Sequence, residues 1–181
     1  VTGTAGADNI IVFNVEPRWN VISALAGDDT LTLMGISFAM VSGGDGNDSI
    51  RANGTGHDMR LYGGAGNDTI DMGTSTGLMP DRLYGGAGKD TLVGGADNDT
   101  MRGGLDNDGL FGGGGNDVIL GDQGTVTIDA GVLIDVYTEQ ATIGAADVIT
   151  AGAGDDAILG GLAGDTLTAG DGANIIVGDH G

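Results

Sequence analysis

Cysteine is absent from this chain, so no disulfide can hold it together and no thiolate can bind a metal. That absence leaves the redox compartment open. Glutamate is scarce too: of 26 acidic residues only Glu16 and Glu139 are glutamate, and the rest are aspartate. Lysine and arginine together number six against a net charge of −20, which argues against nucleic acid or anionic membrane as a partner. Three Phe, three Tyr and one Trp leave little aromatic material for a core. No apolar run approaches the roughly 18 residues that span a bilayer. No leader peptide is recognisable and the first residue is Val1 rather than Met, so the chain reads as an excised piece of a longer protein. Its 181 residues make one domain or one stretch of a repeat array.

What is present is glycine, 39 residues of it, and aspartate, in a fixed order. Gly85–Val93 (GGAGKDTLV) is followed without a break by Gly94–Arg102 (GGADNDTMR), Gly103–Phe111 and Gly112–Leu120. The unit is G-G-x-G-x-D-x-U-x, with U a large apolar residue. Asp81, Asp90, Asp99, Asp108 and Asp117 keep a nine-residue spacing, with Leu83, Leu92, Met101, Leu110 and Ile119 two residues behind. Asp147, Asp156, Asp165 and Asn174 form a second run, followed by Ile149, Ile158, Leu167 and Ile176. Upstream the spacing loosens. Gly43–Arg51 (GGDGNDSIR) and Gly63–Asp71 (GGAGNDTID) are clear copies, while those around Asp8, Asp29 and Asp58 are weak. Glycine and aspartate both disfavour helix, and aspartate beside glycine suits turns and short-reach oxygen ligands.

Such a chain cannot fold on apolar burial alone. Each repeat buries one apolar side chain, for about 2 kcal/mol, while ordering nine residues costs roughly 1–2 kcal/mol apiece in backbone entropy. Stacked aspartates add repulsion. A hard divalent cation neutralises the carboxylates and holds the turns together. Calcium accepts flexible sets of carboxylate and carbonyl oxygens, magnesium demands a tighter octahedron, and zinc or copper would need nitrogen or sulfur. The only histidines are His57 and His180. Calcium, as several ions, is the expected cofactor.

These tandem nonapeptides resemble the RTX (repeats-in-toxin) calcium-binding family over nearly the whole chain. The resemblance implies an all-β fold, a right-handed parallel β-roll, in which two nonapeptides make one turn and calcium sits between loops of successive turns. Partners would then stand 18 residues apart: Asp81, Asp99 and Asp117 on one side, Asp90 and Asp108 on the other, Asp147 with Asp165, and Asp156 with Asn174. The ligand set implied is Asp8, Asp29, Asp48, Asp58 and Asp68 together with those residues. Carbonyls of the turn glycines Gly43, Gly63, Gly85, Gly94, Gly103 and Gly112 complete it. The U residues should form a narrow inward ladder.

Several positions depart from the pattern. Asp97 and Asp106 replace the third glycine, Asn174 is neutral, and Val126 stands where the next aspartate after Asp117 is due, so that row is expected to end there. Around Asp147 (TIGAADVIT) most glycines are missing, which predicts a partial loop. The organisation expected is a β-roll over 1–124 with loop insertions at 13–26, 32–42 and 71–80, an inserted β-hairpin over 125–143, and a continued roll over 144–181. The hairpin follows from the alternation in TVTID and VLIDVYT around an Ala-Gly turn, and is expected to project from the roll. The closing Ile176–Gly181 (IVGDHG) echoes Ile119–Gly124 (ILGDQG) 57 residues earlier, as expected of one period in a longer array. The G-x-S-x-G match at Gly73–Gly77 has no α/β pattern around it, and chance produces it readily in so glycine-rich a chain. No enzymatic activity is expected.

One further pattern is the decamer RLYGGAGNDT (Arg60–Thr69), which returns as RLYGGAGKDT (Arg82–Thr91). Strand alternation turns Arg60, Tyr62, Arg82 and Tyr84 outward. If Asp58, Asp81 and Asp99 occupy successive turns, these residues stack on one face together with Arg102. Charge balance and solvent cover account for such a stripe simply. The sharper reading is contact with an acidic polysaccharide, since guanidinium forks suit carboxylates and aromatic rings suit sugar faces. The function expected is that of a calcium-folded, non-catalytic structural module of a secreted or surface bacterial protein, adhesin-like, with neighbouring repeat modules of the same polypeptide as partners. The resemblance implies export by type I secretion. The alternative is a polysaccharide-binding or secretion and folding module attached to an enzyme or toxin of that family.

Overall fold

The structure, a computed structural model, describes residues 1–13, 19–53, 58–73, 79–129, 132–138 and 144–178. Its strands are β1 (Asn9–Phe13), β2 (Asn20–Ala26), β3 (Thr30–Met34), β4 (Phe38–Asp45), β5 (Ser49–Asn53) and β6 (Asp58–Ala65). They continue as β7 (Thr69–Asp71), β8 (Arg82–Ala87), β9 (Thr91–Gly95), β10 (Thr100–Leu105), β11 (Gly109–Gly114) and β12 (Val118–Asp122). The last are β13 (Gly124–Asp129), β14 (Val132–Thr138), β15 (Val148–Ala153), β16 (Ala157–Leu159), β17 (Thr166–Asp171) and β18 (Ile175–Val177).

Chain order alternates between two eight-stranded sheets, so each turn places one strand in each. One sheet runs β1-β3-β5-β7-β9-β11-β15-β17, and the other β2-β4-β6-β8-β10-β12-β16-β18. Pairing within both is parallel and in register, for example Leu83 with Met101 and Met101 with Ile119. This is the parallel β-roll that the resemblance of the nonapeptides implies. Strand alternation sends the U residues inward, and Leu83, Leu92, Met101, Leu110, Ile119 and Ile149 are fully buried in one continuous core. The second glycines form a column in which each carbonyl faces the next turn. A Cβ at Gly104 would strike Gly86 O, and the φ of 128° there is open to glycine alone at low cost.

The N-terminal turns are wider. There each strand carries two inward residues rather than one, as in Ile22 and Ala24, Leu31 and Leu33, Ile50 and Ala52, or Met59 and Leu61. The extra pair lengthens the circuit, which is the physical reason the spacing loosens. Of the stretches expected as insertions at 13–26 and 32–42, the described parts carry β2, the end of β3 and the start of β4 and so belong to turns of the roll, while 14–18 lie outside the described residues. Of the expected 71–80 insertion, Met72 is a core residue, and 74–78, which include the serine of the G-x-S-x-G match, lie outside the described residues.

β13 and β14 pair antiparallel, as the alternation predicts. The hairpin does not simply project. β14 contacts β16, and Val118, Leu120 and Leu159, which lie outside the main core, are buried as a second small cluster. The Arg102 Nη1 donates to the Gly124 carbonyl at 2.5 Å and so ties the base of the hairpin to β10.

Candidate metal centre

Two ladders of aspartates run along the edges where the sheets meet. In the first, the backbone N–H of each aspartate donates to Oδ1 of the aspartate one turn on: Asp8 to Asp29, then Asp48, Asp68, Asp90, Asp108, Asp147 and Asp165. The second begins with Met59 N–H on Asp81 and passes through Asp99, Asp117 and Asp156 to Asn174. The N···O distances lie between 2.6 and 3.0 Å. Both assignments of sides made from the 18-residue spacing match this geometry. Among the described residues, the N-terminal turns carry the first ladder alone.

Three expectations change. The second ladder does not end at Val126: the Asp117 N–H reaches Asp156, 39 residues away. The first likewise passes from Asp108 to Asp147 across 39 residues, instead of 18. The hairpin is therefore spliced into a single nonapeptide, between Asp122 and Gly144. The glycine that Asp147 lacks nearby is supplied by Gly121, against which its Oδ2 lies. The Asp147 loop is thus complete in space though broken in sequence. Asp58 is the third change. Arg60 pairs with Arg82, which puts Met59 at the register position of Asp81, and Asp58 instead forms an ion pair with Arg82 at 3.5 Å.

The second oxygens are what a cation would meet. Among the described residues, Oδ2 of Asp29, Asp48, Asp68, Asp90, Asp99, Asp108, Asp117, Asp147 and Asp156 is buried without a hydrogen-bond partner. These residues are between 0% and 3% exposed. Leaving one ionised carboxylate so placed is costly, and nine in rows are untenable without a counter-charge. Each Oδ2 of Asp48, Asp68, Asp90, Asp99, Asp108 and Asp117 faces the first glycine of its own repeat, respectively Gly43, Gly63, Gly85, Gly94, Gly103 and Gly112. At Gly63, Gly85, Gly94, Gly103 and Gly112 a carbonyl of the next turn closes the hollow. A Cβ at Gly94 would lie 2.7 Å from both Asp99 Oδ2 and Gly112 O. The hollow exists only because no side chain fills it.

Burial acts on the proton affinities as expected. It pushes Asp99 and Asp108 up to about 8, Asp90, Asp117 and Asp147 to about 7, and Asp68 to about 6, and it raises Asp48. The N–H bond from the neighbouring turn partly offsets this, and other carboxylates, chiefly of the ladder, add to it. Among the described residues no three His, Cys, Asp or Glu side chains converge on one point. Two carboxylates from successive turns plus backbone carbonyls is a donor set for a hard cation with a tolerant coordination sphere. It does not suit zinc, which favours nitrogen and sulfur. Calcium fits, held by the ladder Oδ2 atoms and the turn carbonyls.

Other members are distinguishable. Asp8 Oδ2 already accepts from Thr4 N at 2.5 Å and Thr4 Oγ1 at 3.0 Å, so this end of the ladder is capped by protein. Asp165 and Asn174 hold their places through Oδ1, and Asn174 offers no carboxylate. Asp97 is buried, whereas Asp106 is exposed with φ of 70°. Sequence reasoning missed two features. Residues just before the aspartates form an outer ladder, with Asn67 N–H on Asn47 Oδ1 and Asn116 N–H on Asn98 Oδ1; the recurrent Asn-Asp dipeptide was its signal. Asp122 accepts from Ala145 and Leu162 backbone N–H groups and so closes the roll across the splice.

The Arg/Tyr stripe is formed as expected but for Asp58. Tyr62 and Tyr84 stack with centroids 4.8 Å apart and planes 8° from parallel. Arg102 lies 5.0 Å over the Tyr84 ring, and Arg60 5.0 Å over Trp19. The ring faces of Tyr84 are thus taken by Tyr62 and Arg102, leaving edges and hydroxyls for any ligand.

A search of curated proteins found no relative of this chain. The family profile described as RTX calcium-binding nonapeptide repeat (4 copies) matches residues 40–58, 60–74, 75–110, 102–128, 144–167 and 159–181. These matches span more than half of the sequence and cover the ladder positions from Asp48 onward, while Asp8 and Asp29 lie before them. The chain is a calcium-binding repeat module and belongs to the RTX calcium-binding nonapeptide-repeat family.

Proposed function

We propose that this module is a structural element of a secreted or surface-exposed bacterial protein whose folding is switched on by calcium outside the cell. The observation that carries this reading is the double row of buried, unpartnered Oδ2 atoms. In calcium-poor cytosol their mutual repulsion opposes the roll, and the chain stays extended enough to be exported through a narrow channel. At the millimolar calcium of the extracellular medium, an ion bound to the folded state alone supplies the missing stability. Type I secretion is the route that suits such behaviour. The module acts as a spacer in an adhesin-like array and performs no chemistry of its own.

Far-UV circular dichroism of the EGTA-treated chain, titrated with calcium and in parallel with magnesium, tests the switch. A cooperative rise in β signal with calcium alone is expected. A chain already folded in EGTA and indifferent to calcium would overturn it.

A further inference from the structure

The outer face of β6, β8 and β10 carries three of the chain's six cationic side chains, Arg60, Arg82 and Arg102. Where the start of the hairpin meets this face, Gly124 and Thr125 edge a cleft of about 350 Å³ that presents Arg82, Tyr84, Thr100 and Arg102, with Met101 and Leu120 also in its lining. A second hollow of about 200 Å³ runs beside Tyr62 and Tyr84 toward Gln123. The cleft is large enough for one or two sugar-sized units. Its floor presents two guanidinium groups on neighbouring strands. Arg82 shares one contact with Asp58 at 3.5 Å, and Arg102 gives one N–H to Gly124. Each guanidinium has five N–H donors, so both keep donors for a ligand. Thr100 adds a hydroxyl, and the Tyr84 ring, stacked on both faces, can offer only its edge and hydroxyl.

We propose that this cleft binds an acidic saccharide, its carboxylate on Arg82 and Arg102 and its ring hydroxyls on Thr100, Tyr84 and the Gly124 carbonyl. A donor-rich floor with an apolar strip at Met101 and Leu120 matches a ligand with one anionic group, several hydroxyls and C–H faces. Strands stand about 4.8 Å apart, so successive donors follow a linear chain along the roll axis. The site rests on the calcium-loaded roll, because ions in the ladders also cancel the negative field that would repel an anion.

The test is NMR titration of the calcium-loaded chain with a glucuronate trisaccharide, free calcium held constant, beside its neutral hexose counterpart and a polyglutamate peptide. Amide shifts confined to β8, β10 and Gly124 are expected, with the neutral sugar at least tenfold weaker. Arg82→Gln is expected to weaken binding about tenfold while leaving the calcium midpoint unchanged, and Thr100→Val to weaken it less. No binding, equal binding of the neutral sugar or polyglutamate, or full affinity in Arg82→Gln would overturn the proposal. Failure of the chain to respond to calcium would instead overturn the calcium switch, whatever the sugar does.

Discussion

Asp48, Asp68, Asp90, Asp99, Asp108, Asp117 and Asp147 each divide their two oxygens between two tasks. Oδ1 accepts a backbone N–H from the preceding turn, while Oδ2 waits in a glycine-lined hollow. Asparagine can perform the first task and not the second, as Asn174 does for Asp156. Asp99→Asn is therefore expected to raise the calcium midpoint while leaving the calcium-saturated fold intact. Asp99→Ala should cost a further ~1–3 kcal/mol, since the buried Asp81 N–H loses its acceptor. Equal midpoints for the two variants in a dichroism titration would contradict this division. Proton affinity gives a second check. Asp68, Asp90, Asp99, Asp108, Asp117 and Asp147 hold protons more tightly folded than unfolded, at about 6 to 8 against 3.8. The metal-free roll is thus most stable below the unfolded value and loses stability as pH rises from 3.8 through that range. In EGTA, more β signal is expected at pH 5 than at pH 8.5, and calcium binding at pH 7 should release protons, visible as a buffer-dependent calorimetric heat. An EGTA sample that gained structure on alkalinisation would reverse the sign.

At the level of the element, the nonapeptide was legible wherever its residues are contiguous. The rows through Asp81, Asp99 and Asp117 and through Asp90 and Asp108 follow from a count of 18. What could not be read was any part whose completion comes from far along the chain. Asp147 finds its glycine at Gly121, on the other side of the hairpin. Asp58 looks like a member by composition, yet pairing puts Met59 in its place, a one-residue difference that only strand register fixes. The contact of the hairpin with the roll was hidden for a similar reason: β14 meets β16 beside Leu120 and Leu159, which are buried outside the main core. Removing residues 123–143 so that Asp122 joins Gly144 restores a continuous repeat. That variant is expected to fold with a calcium midpoint close to the parent's and to bind a hydrophobic dye, because Leu120 and Leu159 lose the hairpin beside them. Loss of calcium-dependent folding would mean that the hairpin is part of the frame.

Over the whole molecule, stability is divided unevenly. Turns that contact only their neighbours open and close semi-independently. The N-terminal turns rest on a wider apolar core with one aspartate ladder, while those from Leu83 to Ile119 have a narrow core and two ladders. As calcium falls, the second group should lose protection first. Hydrogen exchange at graded calcium is expected to show amides in 82–120 opening at higher calcium than those in 20–52. Uniform loss along the chain would indicate a single cooperative unit.

The splice at Asp122 and Gly144 has a wider consequence. Both ladders pass it without a break, because the frame asks only that the two ends return to adjacent points. That makes this seam a port for cargo. New surface can be added, exchanged or deleted there while the frame's own metal chemistry stays the same, so lineages could diversify what the module displays without renegotiating how it folds.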